Sequence, residues 1–297
     1  MPFSLLLFLV TSLLGGSTGA VVKYLVEQVL PVTIALDRLI IGLALLLPFV
    51  FKNSLIKKTL RNKELLVASI FFTSNILLYA YGIQHTSLIM GQILYVPTGL
   101  VVAIISFIFL KENISREKLI SLGVALAGMG ILLYGSIKTS DVFTFGKPLG
   151  NVLIILAMLS WSTYTVMSRK SSKLYKPLEI TFVNFLLASV ISAIFLAVFY
   201  RNFNLSYLIS SKASVNVWLL FASIISLLFV ILYQVLIKKT SAFTSSLITY
   251  LNPVVASFLG IIFFKEHLTT SLILGGFLVT IAVFYSTSYQ YLKVRNS

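Results

Sequence analysis

The chain has 297 residues, of which 58% are apolar and 10% charged, with a mean hydropathy of +1.02. That is more apolar surface than a soluble core of this size can hide, so the composition excludes a soluble globular domain and points to an integral membrane protein. With no cysteine in the chain, disulfides, thiol catalysis and cysteine-ligated metals are excluded; the formal charge of +15 lies in short inter-helix segments, where cations orient helices rather than bind nucleic acid.

Ten windows of about 20 apolar residues, the length that spans a bilayer, follow one another along the chain. They run from Phe3 to Val22, Val32 to Phe51, Leu65 to Ile83, Ser87 to Leu110, Leu119 to Ile137, Leu149 to Ser168, Leu178 to Tyr200, Val217 to Ile237, Ala242 to Phe264 and Thr270 to Tyr289. No Lys or Arg precedes the first window, so it reads as a transmembrane helix and not as a secretory signal. Pro2, Pro31, Pro148 and Pro177 fall at helix starts, where a missing N–H costs little. Pro48, Pro97 and Pro253 fall inside helices and are expected to bend them.

Orientation follows from the cations, which are retained on the cytoplasmic side of short loops. With the N-terminus inside, the cytoplasmic segments hold 16 Lys and Arg, grouped around residues 52–63, 111–118, 169–176 and 238–239 and near the C-terminus. The opposite side holds 6, namely Lys23, Lys138, Lys147, Arg201, Lys212 and Lys265. Both termini are therefore expected in the cytoplasm of a multi-pass protein of the plasma (inner) membrane.

The stretch Ser87 to Glu112 recurs as Ser241 to Glu266. A shift of 154 residues sets Thr86-Ser87 on Thr240-Ser241, Lys111-Glu112 on Lys265-Glu266 and Leu78-Tyr79 on Leu232-Tyr233. A shift of 146 sets Pro31 on Pro177, Lys23 on Arg169 and Arg38 on Asn184. Each copy spans five helices, an odd number, so the second enters the membrane from the opposite side, the arrangement by which alternating-access carriers balance inward and outward states.

Polar side chains inside spans are expensive and are expected to face a cavity or another helix. In the first helix Ser12, Gly15, Gly16, Gly19 and Lys23 form a stripe whose small residues suit either close helix packing or a cavity wall. Asn75, Tyr79 and Gly82 share a face of the third helix. Ser87, Gly91, Gln92, Tyr95 and Thr98 share one around Pro97 in the fourth, where a bend can free a carbonyl for the ammonium group of a zwitterion. These polar residues equally suit a seam between the third and fourth helices.

The second half offers Ser160, Trp161, Tyr164 and Ser168, then Tyr233 and Gln234, then Ser246, Thr249, Tyr250, Asn252 and Pro253. Trp161 and Tyr164 can supply flat walls with one polar edge each, or ordinary packing. Arg38 is the one basic residue clearly within a span. It can hold a substrate carboxylate, or snorkel to the external interface against Glu27, and its place near the helix start favours the anchor. Enzyme chemistry has no footing: the two histidines, His85 and His267, form no metal spacing, and there is neither a nucleophile elbow nor a phosphate-binding glycine loop. No cofactor or metal is expected, and ATP-driven pumping is excluded for this chain alone.

Two apolar helices ending in Lys-Glu, followed by Asn113-Ile114-Ser115 or His267-Leu268-Thr269 and a Gly-bearing final helix, resemble the EamA repeat of the drug/metabolite transporter superfamily. Arg38 and the Gly-containing first helix are similar to that family as well. The resemblance covers residues 3–137 and 149–289 and implies an all-α membrane protein of ten transmembrane helices in two inverted five-helix repeats. Its fifth and tenth helices are peripheral, and helices one, three, four, six, eight and nine line a central cavity for small metabolites, often amino acids. One departure stands out: Pro97 aligns on Leu251 and Gly99 on Pro253, which displaces the expected helix breaks by two residues.

The expectation is a secondary-active exporter of an amino acid or amphipathic metabolite, working by alternating access. Uptake or exchange of a nucleotide-like metabolite is the alternative, and a non-transporting scaffold or lipid-handling protein stands further off. The expected cavity residues are Ser12, Gly16, Arg38, Asn75, Tyr79, Gln92, Tyr95, Trp161, Tyr164, Tyr233, Ser246, Tyr250 and Asn252, with Pro97 and Pro253 at helix breaks. The expected partners are the lipid bilayer, the solute, and a proton or counter-substrate, with the chain as a monomer or weak homodimer and no nucleic acid involved.

Overall fold

The computed structural model describes residues 3–50, 59–111, 147–200 and 212–264, with isolated helical positions between 116 and 131 and between 274 and 281. The fifth and tenth expected helices fall largely outside the described residues. The rest is helical: α1 (Phe3–Leu25), α2 (Pro31–Val50), α3 (Lys63–Gln84), α4 (Leu88–Ile93), α5 (Thr98–Leu110), α6 (Pro148–Ser172), α7 (Pro177–Phe199), α8 (Ala213–Lys239), α9 (Ala242–Ser246) and α10 (Ile248–Phe264). Taking α4 with α5 and α9 with α10, the described residues contain eight spans long and apolar enough to cross a bilayer.

Local chemistry sets the helix starts. Pro31, Pro148 and Pro177 each occupy the first position of a helix, where a fixed φ is an advantage and no hydrogen bond is lost. Elsewhere side chains cap the free amides. Asn62 accepts from Leu65 N, and Ser87 and Ser241 accept from the amides of Met90 and Thr244 three residues on. At the far end of α5, Lys111 takes the left-handed conformation, φ 52°, and turns the chain out of the helix.

The two interruptions are not alike. Between α4 and α5 the chain makes consecutive tight turns over Leu94–Pro97, as expected from Pro97. The second break falls at Leu247, while Pro253 lies inside α10 without interrupting it. The cause is a run of hydroxyls that bond back to the main chain: Ser245 Oγ donates to Ser241 O and Ala242 O, Ser246 Oγ to Phe243 O and Thr249 Oγ1 to Ser246 O. Such local bonds compete with the helical ladder and loosen it. In the register of the 154-residue shift Leu247 falls on Ile93, so the two breaks start one residue apart and not two.

In the bundle, α3 lies along α6, and α1 lies against α8 and α10; α2 packs on α7 and α8, α7 on α3, and α5 on α6. The two broken spans also meet, α4 on α10 and α9 on α5. The α3–α6 crossing is close at one end because both helices present glycine there: a Cβ on Gly150 would lie 2.9 Å from Gly82 O. Phe72, Tyr164, Phe185, Tyr233 and Tyr250 are fully buried in the bundle, while Phe49, Phe109, Phe199 and Ile262 point outward. An outward apolar belt around a core with many hydroxyls is inverted relative to soluble proteins and fits a lipid surround. The protein is an integral, multi-pass membrane protein.

Candidate solute-binding site

The polar positions converge where α1, α2, α3 and the α4–α5 turn face α6, α7, α8 and α10. Between them lies a cavity of about 100 Å³, room for several waters or a small solute. Its floor of small residues is Gly15 and Gly19 of α1; a Cβ on Gly19 would lie 2.8 Å from the Tyr79 hydroxyl, so glycine there keeps the space open. Phe72, Trp161, Phe185 and Phe229 form the aromatic walls. The Trp161 ring stacks on Tyr233 at 4.9 Å and on Phe229 at 5.8 Å, which holds the wall rigid.

Hydrogen bonds orient the polar groups before any solute arrives. Arg38 Nε donates to Ser226 Oγ at 2.8 Å, tying α2 to α8. Gln92 Nε2 donates to the Tyr79 hydroxyl at 2.9 Å. Asn75 Nδ2 donates to the Tyr95 hydroxyl and to Ala157 O, the latter at 2.9 Å, linking α3 to α6 across the cavity edge. Lining residues such as Trp161 and Ser226 sit near the middle of their helices, which places the cavity near mid-depth of the bundle.

Of the residues expected at the site, Arg38, Asn75, Tyr79, Gln92, Tyr95, Trp161 and Asn252 line this cavity. The others lie elsewhere. Gly16 is a packing contact, since a Cβ there would meet Val255 Cβ at 2.6 Å, and Ser12 donates to Phe8 O within its own helix. Ser246 also bonds within its own turn, to Phe243 O. Tyr250 packs its ring against Gly99, and its hydroxyl is buried with no hydrogen-bond partner among the described residues. Tyr164 and Tyr233 stand behind the wall. Tyr164 accepts from Asn184 Nδ2 at 2.8 Å and from Gln234 Nε2, and Tyr233 shares a 2.8 Å bond with Thr165.

Arg38 is not held by Glu27, which approaches Lys23 at 4.0 Å. Lys23 Nζ instead donates to Ile83 O at 3.0 Å and Thr86 O at 2.8 Å, closing the carbonyl end of α3. Thr18, Phe72, Phe185 and Ser226 line the cavity unforeseen. Thr18 in α1 and the pair Ser223 and Ser226, three apart in α8, are polar cues; a phenylalanine in so apolar a chain gives none.

Comparison with known proteins completes the assignment. The chain is 27% identical over 281 residues, 90% of its length and 83% of the relative's, to a Bacillus subtilis protein named uncharacterized transporter YetK. A Buchnera aphidicola (subsp. Schizaphis graminum) protein, also named an uncharacterized transporter, is 25% identical over 88% of this chain and 86% of its own. A third so named, from Archaeoglobus fulgidus, is 25% identical over 96% and 98%. A solved structure described as "Crystal structure of protein" superposes with a TM-score of 0.75 over 96% of both chains at 17% identity, which shows a shared fold and no more. The model of the EamA-like transporter family matches residues 2–134 and again residues 148–288. The chain belongs to the EamA-like transporter family.

Proposed function

We propose that this membrane transporter is a secondary carrier exporting a small amphipathic metabolite, of amino-acid size, by alternating access between two inverted five-helix halves. The observation that carries the reading is that 12 of the 19 residues lining the cavity fall into pairs in the register of the internal repeat. Gly15 pairs with Trp161 and Leu39 with Phe185 at the shift of 146; Phe72 pairs with Ser226, Asn75 with Phe229, Ile76 with Val230 and Tyr95 with Thr249 at the shift of 154. A cavity sitting on the axis that relates two halves is where a carrier's solute site belongs. The helix packing supports the same reading: exchanging α1 to α5 with α6 to α10 turns the α3–α6 contact into α8–α1, α1–α10 into α6–α5, and α7–α3 into α2–α8. All of these contacts are present.

The mid-depth position fits a solute site that the two halves close over in turn. Counterflow in proteoliposomes loaded with single unlabelled amino acids, their derivatives and short organic acids tests the carrier reading directly. Accumulation of a labelled solute against its preloaded partner is expected; absence of flux for every member of the panel under an imposed gradient refutes it. The cytoplasmic placement of both termini, read from the cations, is checked by a fluorescent reporter fused after Ser297, expected to be bright.

A further inference from the structure

The cavity wall has a surplus of hydrogen-bond donors and no formal negative charge. Arg38 uses only Nε, on Ser226, so the two terminal amino groups of its guanidinium have no hydrogen-bond partner among the described residues, and Arg38 lines the cavity. No acid balances it. Of the acids in the described residues, Glu27 lies by Lys23, Glu64 pairs with Lys170, and Glu179 accepts from the amide of Lys176. Asp37, next in the chain, neither lines the cavity nor forms an ion pair with Arg38. A buried cation left without a counter-charge is costly in a low-dielectric site, and an anionic ligand relieves that cost.

The neighbouring hydroxyls add to the surplus. Tyr79 lies within electrostatic reach of the guanidinium and accepts from Gln92, which leaves its own O–H without an acceptor among the described residues. Tyr95, which accepts from Asn75, is in the same position. Acceptors for an ammonium group are scarce. At the helix breaks the carbonyls of Gln92, Ile93 and Tyr95 take the amides of Tyr95, Val96 and Thr98, and Leu247 O takes Tyr250 N, while those of Leu94 and Val96 take no amide among the described residues. The acceptors that remain are neutral carbonyl, amide and hydroxyl oxygens, and no carboxylate is among the lining residues.

We propose that the cavity binds small organic monoanions, a carboxylate head on the Arg38 fork beside the Tyr79 hydroxyl with an apolar body against the Trp161, Phe229 and Phe185 rings, in preference to zwitterions and cations. This rests on the cavity being the transported solute's site and narrows its chemistry. Charge-assisted, forked hydrogen bonds are the strong and geometrically selective kind, so the guanidinium determines specificity.

The test uses the purified full chain and four compounds on one carbon skeleton: 3-methylbutanoate, 3-methylbutanamide, 3-methylbutylamine and valine. Binding is read by ligand-dependent thermal stabilisation in detergent and transport by counterflow in liposomes. The butanoate is expected to bind tightest of the four. Arg38→Gln is expected to weaken it at least about tenfold, the scale of hydrogen bonds to a charged group, and to bring acid and amide level. Tyr79→Phe is expected to weaken the acid more than the amide. If Arg38→Gln does not fold, Arg38→Lys, which keeps the charge and loses the fork, carries the same acid-to-amide comparison. Valine or the amine binding as tightly as the acid, an unchanged acid-to-amide ratio in the Arg38 variants, or no binding by any of the four overturns the proposal. The acid binding without being moved across the liposome leaves this site standing and refutes the carrier reading. Valine carried equally by parent and Arg38→Gln does the reverse.

Discussion

Replacing Gly150 by alanine drives a methyl group into backbone at the α3–α6 crossing. The added Cβ would lie 2.8 Å from His85 Cβ, 2.9 Å from Gly82 O and 2.9 Å from His85 C, against an ordinary contact of 3.4 Å or more. No side-chain rotation relieves this, so the helices must part by about half an ångström, and overpacking of that kind costs about 1–3 kcal/mol. The parting also stretches the 2.8 Å bond from Lys147 N to His85 O, worth about 1 kcal/mol. Against these stands a helix-propensity gain of about 1 kcal/mol for Gly→Ala. The net expectation is a loss of about 1–3 kcal/mol, read as a lower midpoint of thermal unfolding in detergent. Gly82→Ala meets the Ile154 side chain at 2.9 Å and backbone only at 3.1 Å, on Gly150 O, and is expected to lose less. Gly123→Ala, with nothing within 4 Å among the described residues, serves as the control and is expected to be neutral or stabilising. A Gly150→Ala protein as stable as the parent, or less affected than Gly82→Ala, refutes the argument that backbone contact fixes this seam.

Asn184→Leu removes the centre of a buried chain in which Ser69 Oγ donates to Asn184 Oδ1 and Asn184 Nδ2 to the Tyr164 hydroxyl, both at 2.8 Å. Leaving Ser69 and Tyr164 short of partners is expected to cost about 2 kcal/mol by chemical unfolding in mixed micelles. Lys23→Met strips two carbonyls at the end of α3 of a charged donor, for an expected loss of about 1.5–3 kcal/mol. Arg169→Met, which removes the bond to Ile237 O at 2.7 Å, is expected to fall in the same range, and both are measured as shifts in thermal midpoint. Glu64→Gln breaks the ion pair with Lys170, but both side chains are about half exposed, so the change is expected to stay under about 1 kcal/mol and to shrink further in high salt.

Span positions were legible because bilayer length and proline placement are local properties: Pro31, Pro148 and Pro177 begin α2, α6 and α7 where the sequence puts them. The second break was not, because proline is a conspicuous disruptor, whereas the hydroxyl back-bonds around Ser245 and Ser246 that break the helix at Leu247 depend on rotamers. Within the first-helix stripe, Gly15 and Gly19 face the cavity while Gly16 meets Val255. A helical wheel puts all three on adjoining faces; only the identity of the neighbouring helix separates them. Arg38 illustrates the same limit. Its distance from the helix end suggested an interfacial anchor, but the partner that decided its direction is Ser226, 188 residues away.

The repeat register also shows that five lining positions of the first half have mates that stay out of the cavity wall. Thr18, Gly19, Arg38, Tyr79 and Gln92 line it, while their register mates Tyr164, Thr165, Asn184, Tyr233 and Ser246 do not. Four of those mates have closed on one another or on neighbours: Asn184 and Gln234 donate to Tyr164, Gln234 exchanges bonds with Ser168, and Thr165 bonds Tyr233. Bulk reinforces the difference. Trp161 stands where the first half has Gly15 and fills the space a matching pocket would need. On the proposed two-repeat reading, large side chains together with a saturated hydrogen-bond network keep the second set of polar positions out of the cavity wall. Asn184 in place of a second arginine completes the change. On that reading one guanidinium makes one oriented site, whereas two lining a cavity of about 100 Å³ would repel.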